Sequence, residues 1–306
     1  MNNLITIVGA TGTGKSNLGI HLAKKFNGEI VNADSRQIYR YMDIGTGKPS
    51  SKDMSETAHH LFDIVNPDDN FNITYYLALA KKTISEIQDR NHIPILVGGT
   101  GQYIWGLLED WQIPHVPPQA KLRTELLQQA KELGSNSLWK DLDDMDHESA
   151  LKISPNNTRR LIRAIEVCRY TSQPFSQLRK KGNADYSNLI IGLMLSRKEL
   201  YTRIDRRVDE MLEKGWRDET IRLLAMGYNT SLQSMTSVGY REMELLCKEI
   251  KGLSETTEAI KNRNHKYARR QSNWFSPADK RIDWLTVDMH VTKSSEDRVA
   301  KFFNTN

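Results

Sequence analysis

The sequence predicts an α/β protein, a parallel-sheet core interrupted by an inserted, mainly helical subdomain. Three observations predict it. Short apolar runs of strand character alternate with segments of helical period, each early strand run ends in a polar or glycine-rich turn, and strand signals stop in the middle of the chain before they return.

The first run, Leu4 to Val8, leads into a glycine-rich turn and then an amphipathic stretch carrying Leu18, Leu22, Ala23 and Phe26. The second, Glu29 to Ala33, ends in Asp34-Ser35-Arg36-Gln37. Ile73, Leu77, Ala80, Ile84 and Ile87 then recur at helical spacing, and Ile93 to Val97 reads as a buried strand ending in Gly98-Gly99-Thr100. Ligands of parallel sheets sit beyond the carboxyl ends of the strands. Gly9 to Ser16, Asp34 to Gln37 and Gly98 to Thr100 are therefore expected around one crevice. From about Pro114 to Ser187 only helical patterns remain, as in Lys121 to Leu133 and Thr158 to Tyr170, parted by turn residues at Gly134 and Ser154-Pro155. Strand character resumes at Leu189 to Leu195, and a last short apolar run follows at Trp284 to Val287. The core is thus read as discontinuous, 1–113 with 189–306, around a helical insertion at 114–188.

Composition narrows the class. The 306 residues are 38% hydrophobic and 26% charged, without low-complexity tracts, which excludes a disordered or fibrous chain. Only the last few residues read as unordered. No apolar stretch approaches the roughly 18 residues of a membrane span and no basic leader precedes the first strand, so a cytoplasmic protein is expected. Cys168 and Cys247 sit in apolar helical patterns without metal-ligand or redox spacing, and read as buried free thiols in a reducing compartment. Lys and Arg (43) outnumber Asp and Glu (38), a net +5 that permits nucleic-acid binding without requiring it.

The strongest local signal is the run Gly9-Ala10-Thr11-Gly12-Thr13-Gly14-Lys15-Ser16 between a strand and a helix. Its glycines let backbone N–H groups converge on phosphate oxygens, the helix N-terminus adds partial positive charge, Lys15 adds a full one, and the Ser16 hydroxyl can ligate magnesium. A diphosphate or triphosphate is the expected ligand. Strand three ends in Gly98-Gly99-Thr100, where nucleotide hydrolases usually carry a metal-binding aspartate, which argues against an ATPase or GTPase.

A second cation is wanted where negative charge gathers. On the helix that starts near Lys198, Leu200, Ile204, Val208 and Met211 form one arc; Arg207 falls beside it and Arg206 almost opposite. Arg207 is the arginine placed to point inward, the alternative being an exposed i,i+4 pair. Asp34 could take a proton from a nucleophile or could cap a helix over Ser35 to Tyr41. Arg159, Arg160 and Arg163 form a basic stripe opposite Leu161, Ile165 and Cys168. A second group, Lys261, Arg263, Lys266, Arg269 and Arg270, shares a helix with Tyr267, Gln271 and Trp274. Phosphate backbones suit the first and mixed phosphate and base contacts the second, or either is a solvated helix face. His59-His60 lacks further ligands at metal spacing, so no zinc site is expected.

Beyond the phosphate loop, longer stretches carry a resemblance: Asp34 to Pro49, His59 to Asp63, Gly98 to Tyr103, Ser154 to Val167, Arg203 to Met211, Ser237 to Arg241 and Tyr267 to Phe275. In this order they resemble the tRNA dimethylallyltransferases, the bacterial isopentenyl-tRNA transferases, over nearly the whole chain. The resemblance implies a fold similar to P-loop kinases with a helical insertion. It implies transfer of the dimethylallyl group from dimethylallyl diphosphate to N6 of the adenine just 3′ of the anticodon, position 37 of the tRNA, in tRNAs reading codons that begin with U.

By the same resemblance Gly9, Ala10, Thr11, Gly12, Thr13, Gly14, Lys15 and Ser16 hold a prenyl diphosphate and not ATP, with Mg2+ on Ser16. Arg207 matches the family's diphosphate arginine and Asp34 its general base, with Lys15 and Thr100 completing the catalytic set. The implied tRNA contacts are Asp34, Ser35, Arg36, Gln37, Thr100 and Arg123, then Arg159, Arg160, Leu161, Ile162 and Arg163. Thr236, Ser237, Val238, Gly239, Tyr240 and Arg241 follow, and finally Arg269, Arg270, Gln271, Ser272, Asn273, Trp274, Phe275 and Ser276. The implied partners are tRNA and dimethylallyl diphosphate, with no membrane and a monomeric chain. Gln102, Gly47 and Ser276 depart from the family's usual apolar residue, alanine and arginine. The competing readings are a small-molecule P-loop kinase, a prenyltransferase of free adenine nucleotides and a non-catalytic RNA-binding protein.

Overall fold

The first strand, β1 (Asn3–Gly9), is paired on both sides, and the sheet is laid out around it. The structure is a computed structural model, and it describes residues 2–114, 116–178, 180–182 and 186–305. β2 (Gly28–Asn32), the two-residue β3 (His59–His60) and β4 (Ile93–Val97) follow in sequence. β5 (Trp111–Gln112) and β6 (Lys180–Lys181) form a separate antiparallel ribbon, and β7 (Ser187–Met194) and β8 (Ile282–Thr286) return to the main sheet. That sheet has six strands in the order β3-β2-β4-β1-β7-β8, with every neighbouring pair parallel.

Burial explains why these runs are strands. Leu4 to Val8 has no polar alternation except Thr6, as a strand covered on both faces requires, and Ile5, Ile7, Ile95 and Ile191 are all fully buried. The helix Lys15–Lys25 lays Leu18 and Leu22 on this layer, and the C-terminal helix Val291–Thr305 adds Val299. The segment expected to be unordered is therefore largely helical, because Val299 and Phe303 have an apolar surface to cover. A second apolar cluster joins Ile38, Met42, Val208, Trp216, Tyr240 and Ile260, from the loop after β2 and from the helices Arg197–Glu213, Trp216–Ala225, Tyr240–Cys247 and Leu253–Gln271.

The chain forms two compact units, Met1–Leu108 with Asp185–Asn306, and Glu109–Ala184. The second begins a few residues before the expected 114 because Trp111–Gln112 pairs with Lys180–Lys181 and so belongs to it. Its helices Ala120–Leu133, Ser135–Met145, His147–Lys152 and Thr158–Thr171 share a core of Leu126, Leu138, Leu142, Leu161, Ile165 and Cys168. Among the described residues no helix is long and apolar enough to cross a membrane. Both cysteines are free thiols; Cys168 is buried as expected, whereas Cys247 is only half-buried.

The sheet's centre is expected to carry most of the first unit's stability. Ile7→Ala removes a fully buried side chain from β1 and should cost about 3 kcal/mol in chemical denaturation. Met289→Ala, at a site of the same unit that is 88% exposed, should stay within about 0.5 kcal/mol. Equal losses from the two would contradict this placement of the core.

Candidate active site

Where β1 leaves the sheet the chain turns sharply at Gly9, whose φ is +145° and whose missing Cβ would lie 2.6 Å from the Leu193 carbonyl oxygen of β7. No other residue fits there. The loop then closes on itself: the Thr13 hydroxyl and Lys15 Nζ donate to the Ala10 carbonyl at 2.9 and 2.8 Å. The helix Lys15–Lys25 starts at once, so its unpaired N–H groups open toward the same space.

Thr11, Lys15, Ser16, Asp34, Gln37 and Arg207 line one cleft, all of it within the first unit. Arg207 reaches the loop from the helix Arg197–Glu213, with Nη1 donating to Thr11 Oγ1 and Nη2 to the Gly47 carbonyl, each at 3.3 Å. Arg206 is exposed and paired with Glu210, as the helical period predicted. Asp34 follows β2 in a turn, not a helix: its Oδ1 accepts from Arg36 N at 2.9 Å and its own N–H donates to Asn32 Oδ1 at 2.9 Å. The capping alternative fails because no helix forms over Ser35 to Tyr41. Thr100 ties this turn to the end of β4, accepting from Ser35 N at 3.0 Å.

Electrostatics favour an anion here. Desolvation pulls the Lys15 ammonium down to about 8; Asp34 opposes the shift and Arg207 adds to it. Arg207 is lowered chiefly by burial too, again against Asp34. Two cations facing a single carboxylate leave the cleft short of negative charge, which a diphosphate would supply.

Sequence reasoning missed part of the wall. Ile30, Thr46, Pro49, His59, Phe62 and Val97 also line the cleft. His59, which lies in one of the family-like stretches and lacks metal-ligand spacing, has its Nδ1 2.8 Å from the Thr57 carbonyl, and desolvation lowers its pKa. His60 is turned away, 2.6 Å from Glu29. Gln102 is exposed, so its departure from an apolar residue has no packing consequence.

Several residues assigned to RNA are placed otherwise. Gln271 is buried and clamps the phosphate loop to the end of β4: its Oε1 accepts from Thr11 N at 2.8 Å and its Nε2 donates to the Gly99 carbonyl at 3.2 Å. Phe275, Ser237, Gly239 and Tyr240 are buried, which leaves Thr236, Arg241, Arg269, Arg270, Ser272, Asn273, Trp274 and Ser276 as the exposed members of those stretches and Val238 as half-buried. Lys261 and Arg263 are spent on Asp209 and Glu242.

In the second unit Leu161 and Ile162 face the core, so their side chains are closed to solvent. Arg123 and Arg163 both bind the fully buried Glu166, at 2.7 and 2.5 Å. Burial alone would raise the Glu166 carboxyl, but hydrogen bonds from Arg123, Gln119 N and Arg163 outweigh it and hold the carboxyl below its usual range. Arg159 and Arg160 remain exposed.

A central parallel strand that runs into a phosphate loop, with a helix springing from the loop and further strand ends beside it, defines the phosphate-loop class of α/β proteins. Within that class the relationship is close. Residues 37–278 match the model of the IPP transferase family. The tRNA dimethylallyltransferase of Roseiflexus sp. is 46% identical over 89% of this chain and 89% of its own length, and that of Dehalococcoides mccartyi 41% identical over 98% and 92%. The crystal structure of the full-length tRNA isopentenylpyrophosphate transferase from Bacillus halodurans is similar at a TM-score of 0.74 with 34% identity, covering 100% of this chain and 98% of that one. A eukaryotic dimethylallyltransferase acting on tRNA gives a TM-score of 0.80 with 27% identity, over 99% and 80%. The chain belongs to the IPP transferase family, and is an enzyme of the prenyltransferase class.

The lowered Lys15 pKa carries a pH dependence. Below about 8 the ammonium is charged and above it neutral, so affinity for inorganic diphosphate is expected to fall as pH rises through that value. Calorimetric titration across this range checks it. Lys15→Arg, which stays charged, should remove the inflection, and a wild-type profile as flat as that variant's would contradict the assignment.

Proposed function

We propose that the enzyme transfers the dimethylallyl group from dimethylallyl diphosphate to N6 of the adenine just 3′ of the anticodon, position 37, in tRNAs that read codons beginning with U. The observation that carries the reading is the cleft in which Lys15 and Arg207 face Asp34. The relatives' action on tRNA supports the acceptor. The reading takes the enzyme as a cytoplasmic monomer.

An exocyclic adenine amine is a weak nucleophile because its lone pair is delocalised into the ring, whereas an allylic carbon readily develops positive charge. As the bond from C1 to the diphosphate oxygen breaks, its electron pair leaves with the diphosphate, toward Lys15, Arg207 and the loop N–H groups. The N6–C1 bond forms, and the proton of the amine passes to an Asp34 carboxylate oxygen. Oδ1 is engaged with Arg36 N, so Oδ2 is the one for the proton. The adenine must leave its stack, at a cost on the order of a few kcal/mol, which contacts from exposed cations such as Arg159 and Arg160 would offset.

Ser16 lines the cleft, and among the described residues no group of three or more His, Cys, Asp and Glu side chains is placed to hold a metal ion. The Ser16 hydroxyl, diphosphate oxygens and water make the hard oxygen set that magnesium prefers. When bound, magnesium supplies further neutralisation of the leaving diphosphate.

The experiment is transfer of labelled dimethylallyl to an unmodified anticodon stem-loop, beside AMP as acceptor. Transfer to the stem-loop and not to AMP is expected; transfer to AMP alone, or ATP turnover in its place, would overturn the reading. Asp34→Asn keeps an oxygen for Arg36 N while removing the base, so its rate should fall roughly hundredfold or more with stem-loop binding retained. A near-wild-type rate would end the base role. Replacing Arg159 and Arg160 together by alanine should weaken stem-loop binding and reduce its salt slope by about 1–2, whereas an unchanged slope would mark that face as merely solvated.

A further inference from the structure

Glu219 is a buried carboxylate that the mechanism above does not use. It lies on the helix Trp216–Ala225 and is 2% exposed. Its Oε2 accepts from the backbone N–H groups of Asp43 and Ile44 at 2.9 and 2.7 Å, and its Oε1 accepts from Gly45 N at 3.1 Å and the Tyr240 hydroxyl at 2.7 Å. All four are neutral donors. A buried charge held in this way is costly unless its hydrogen bonds are well met. What it accomplishes is to gather three consecutive N–H groups onto one anion, as a phosphate does in a backbone nest.

The turn gathered there ends in the cleft. Gly47 N donates to the Ile44 carbonyl at 2.9 Å and Lys48 N to the Asp43 carbonyl at 3.0 Å. The Gly47 carbonyl in turn accepts from Arg207 Nη2 at 3.3 Å and from Gln37 Nε2 at 3.0 Å. There is little slack along this path. A Cβ at Gly45 would meet Trp216 Nε1 at 2.1 Å, and one at Gly47 would meet Arg207 Nη2 at 1.8 Å. Lys48 braces the far side through Asp43, Asp63 and the Tyr39 carbonyl.

We infer that Glu219 is a positioning residue for the diphosphate site: by holding the 43–47 turn it sets the carbonyl that holds the Arg207 guanidinium. It touches no reacting atom. The inference rests on the reading of Arg207 as a diphosphate ligand, and its test separates the two. In Glu219→Gln one oxygen becomes an amide N–H₂ that must face a donor, so the nest loses its fit. The dissociation constant for inorganic diphosphate with magnesium, and the KM for dimethylallyl diphosphate, should each rise roughly tenfold, with the stem-loop KM within about twofold of wild type. Tyr240→Phe removes one donor and leaves the three backbone contacts, and should shift the same constants in the same direction by less. In an Arg207→Ala background, Glu219→Gln should add less than about twofold, since the guanidinium it positions is gone.

Wild-type diphosphate affinity in Arg207→Ala would overturn the reading of the cleft. A weakened Arg207→Ala beside normal Glu219→Gln and Tyr240→Phe would overturn the inference alone. So would a parallel rise in both substrates' KM with a lowered Tm, which marks a purely structural loss. Should Glu219→Gln not fold, Tyr240→Phe decides, and unchanged diphosphate binding in it overturns the inference.

Discussion

The parallel pairing of β1 between β4 and β7 is the constraint on which the rest of the site depends. A strand bonded on both sides has its end fixed to within a hydrogen bond, so the loop that leaves it is fixed as well. Gly9 is the joint, because the Leu193 carbonyl leaves no room for a side chain. The ends of β2 and β4 arrive beside it by the same pairing, and bring Asp34 and Thr100 with them. Gln271 then locks the phosphate loop to the end of β4 from the last helix before β8.

Charge is distributed unevenly across this frame. Lys15 and Arg207 are both held against their preference for water and both lean on Asp34. Such a cleft is matched to a ligand that brings negative charge in and carries it away again, as a departing diphosphate does. The carboxylate is the counter-charge to both cations, and under the proposed mechanism it is also the acceptor for a proton.

Two other carboxylates shape the protein from inside. Glu219 organises the turn behind Arg207, and Glu166 gathers Arg123 and Arg163 in the helical unit. Glu219 satisfies backbone donors of a buried turn, whereas Glu166 is itself the buried group and is held by two half-exposed arginines, and both change how the arginines and amides near them are to be understood. Of the apparently basic face of the helix Thr158–Thr171, Arg163 is half-buried and paired with Glu166, and Arg159 and Arg160 face solvent.

The parallel sheet, the inserted helical unit, the phosphate loop and the inward Arg207 were all legible in the sequence, because each rests on local period or spacing: apolar runs for Leu4 to Val8 and Ile93 to Val97, glycine spacing for Gly9 to Ser16, and 100° per residue for Arg207. The two-residue strand His59–His60, the ribbon that moves the unit boundary to Glu109, and the partners of Glu166, Glu219 and Gln271 were not legible. Those depend on contacts between residues far apart in the chain, such as Glu219 with Ile44 and Gln271 with Thr11. A sequence records which side chains can accept or donate, and local periodicity shows which way a helix faces. Only tertiary structure decides which distant donor a buried acceptor meets, and so whether a polar residue contacts a ligand or holds the backbone that does.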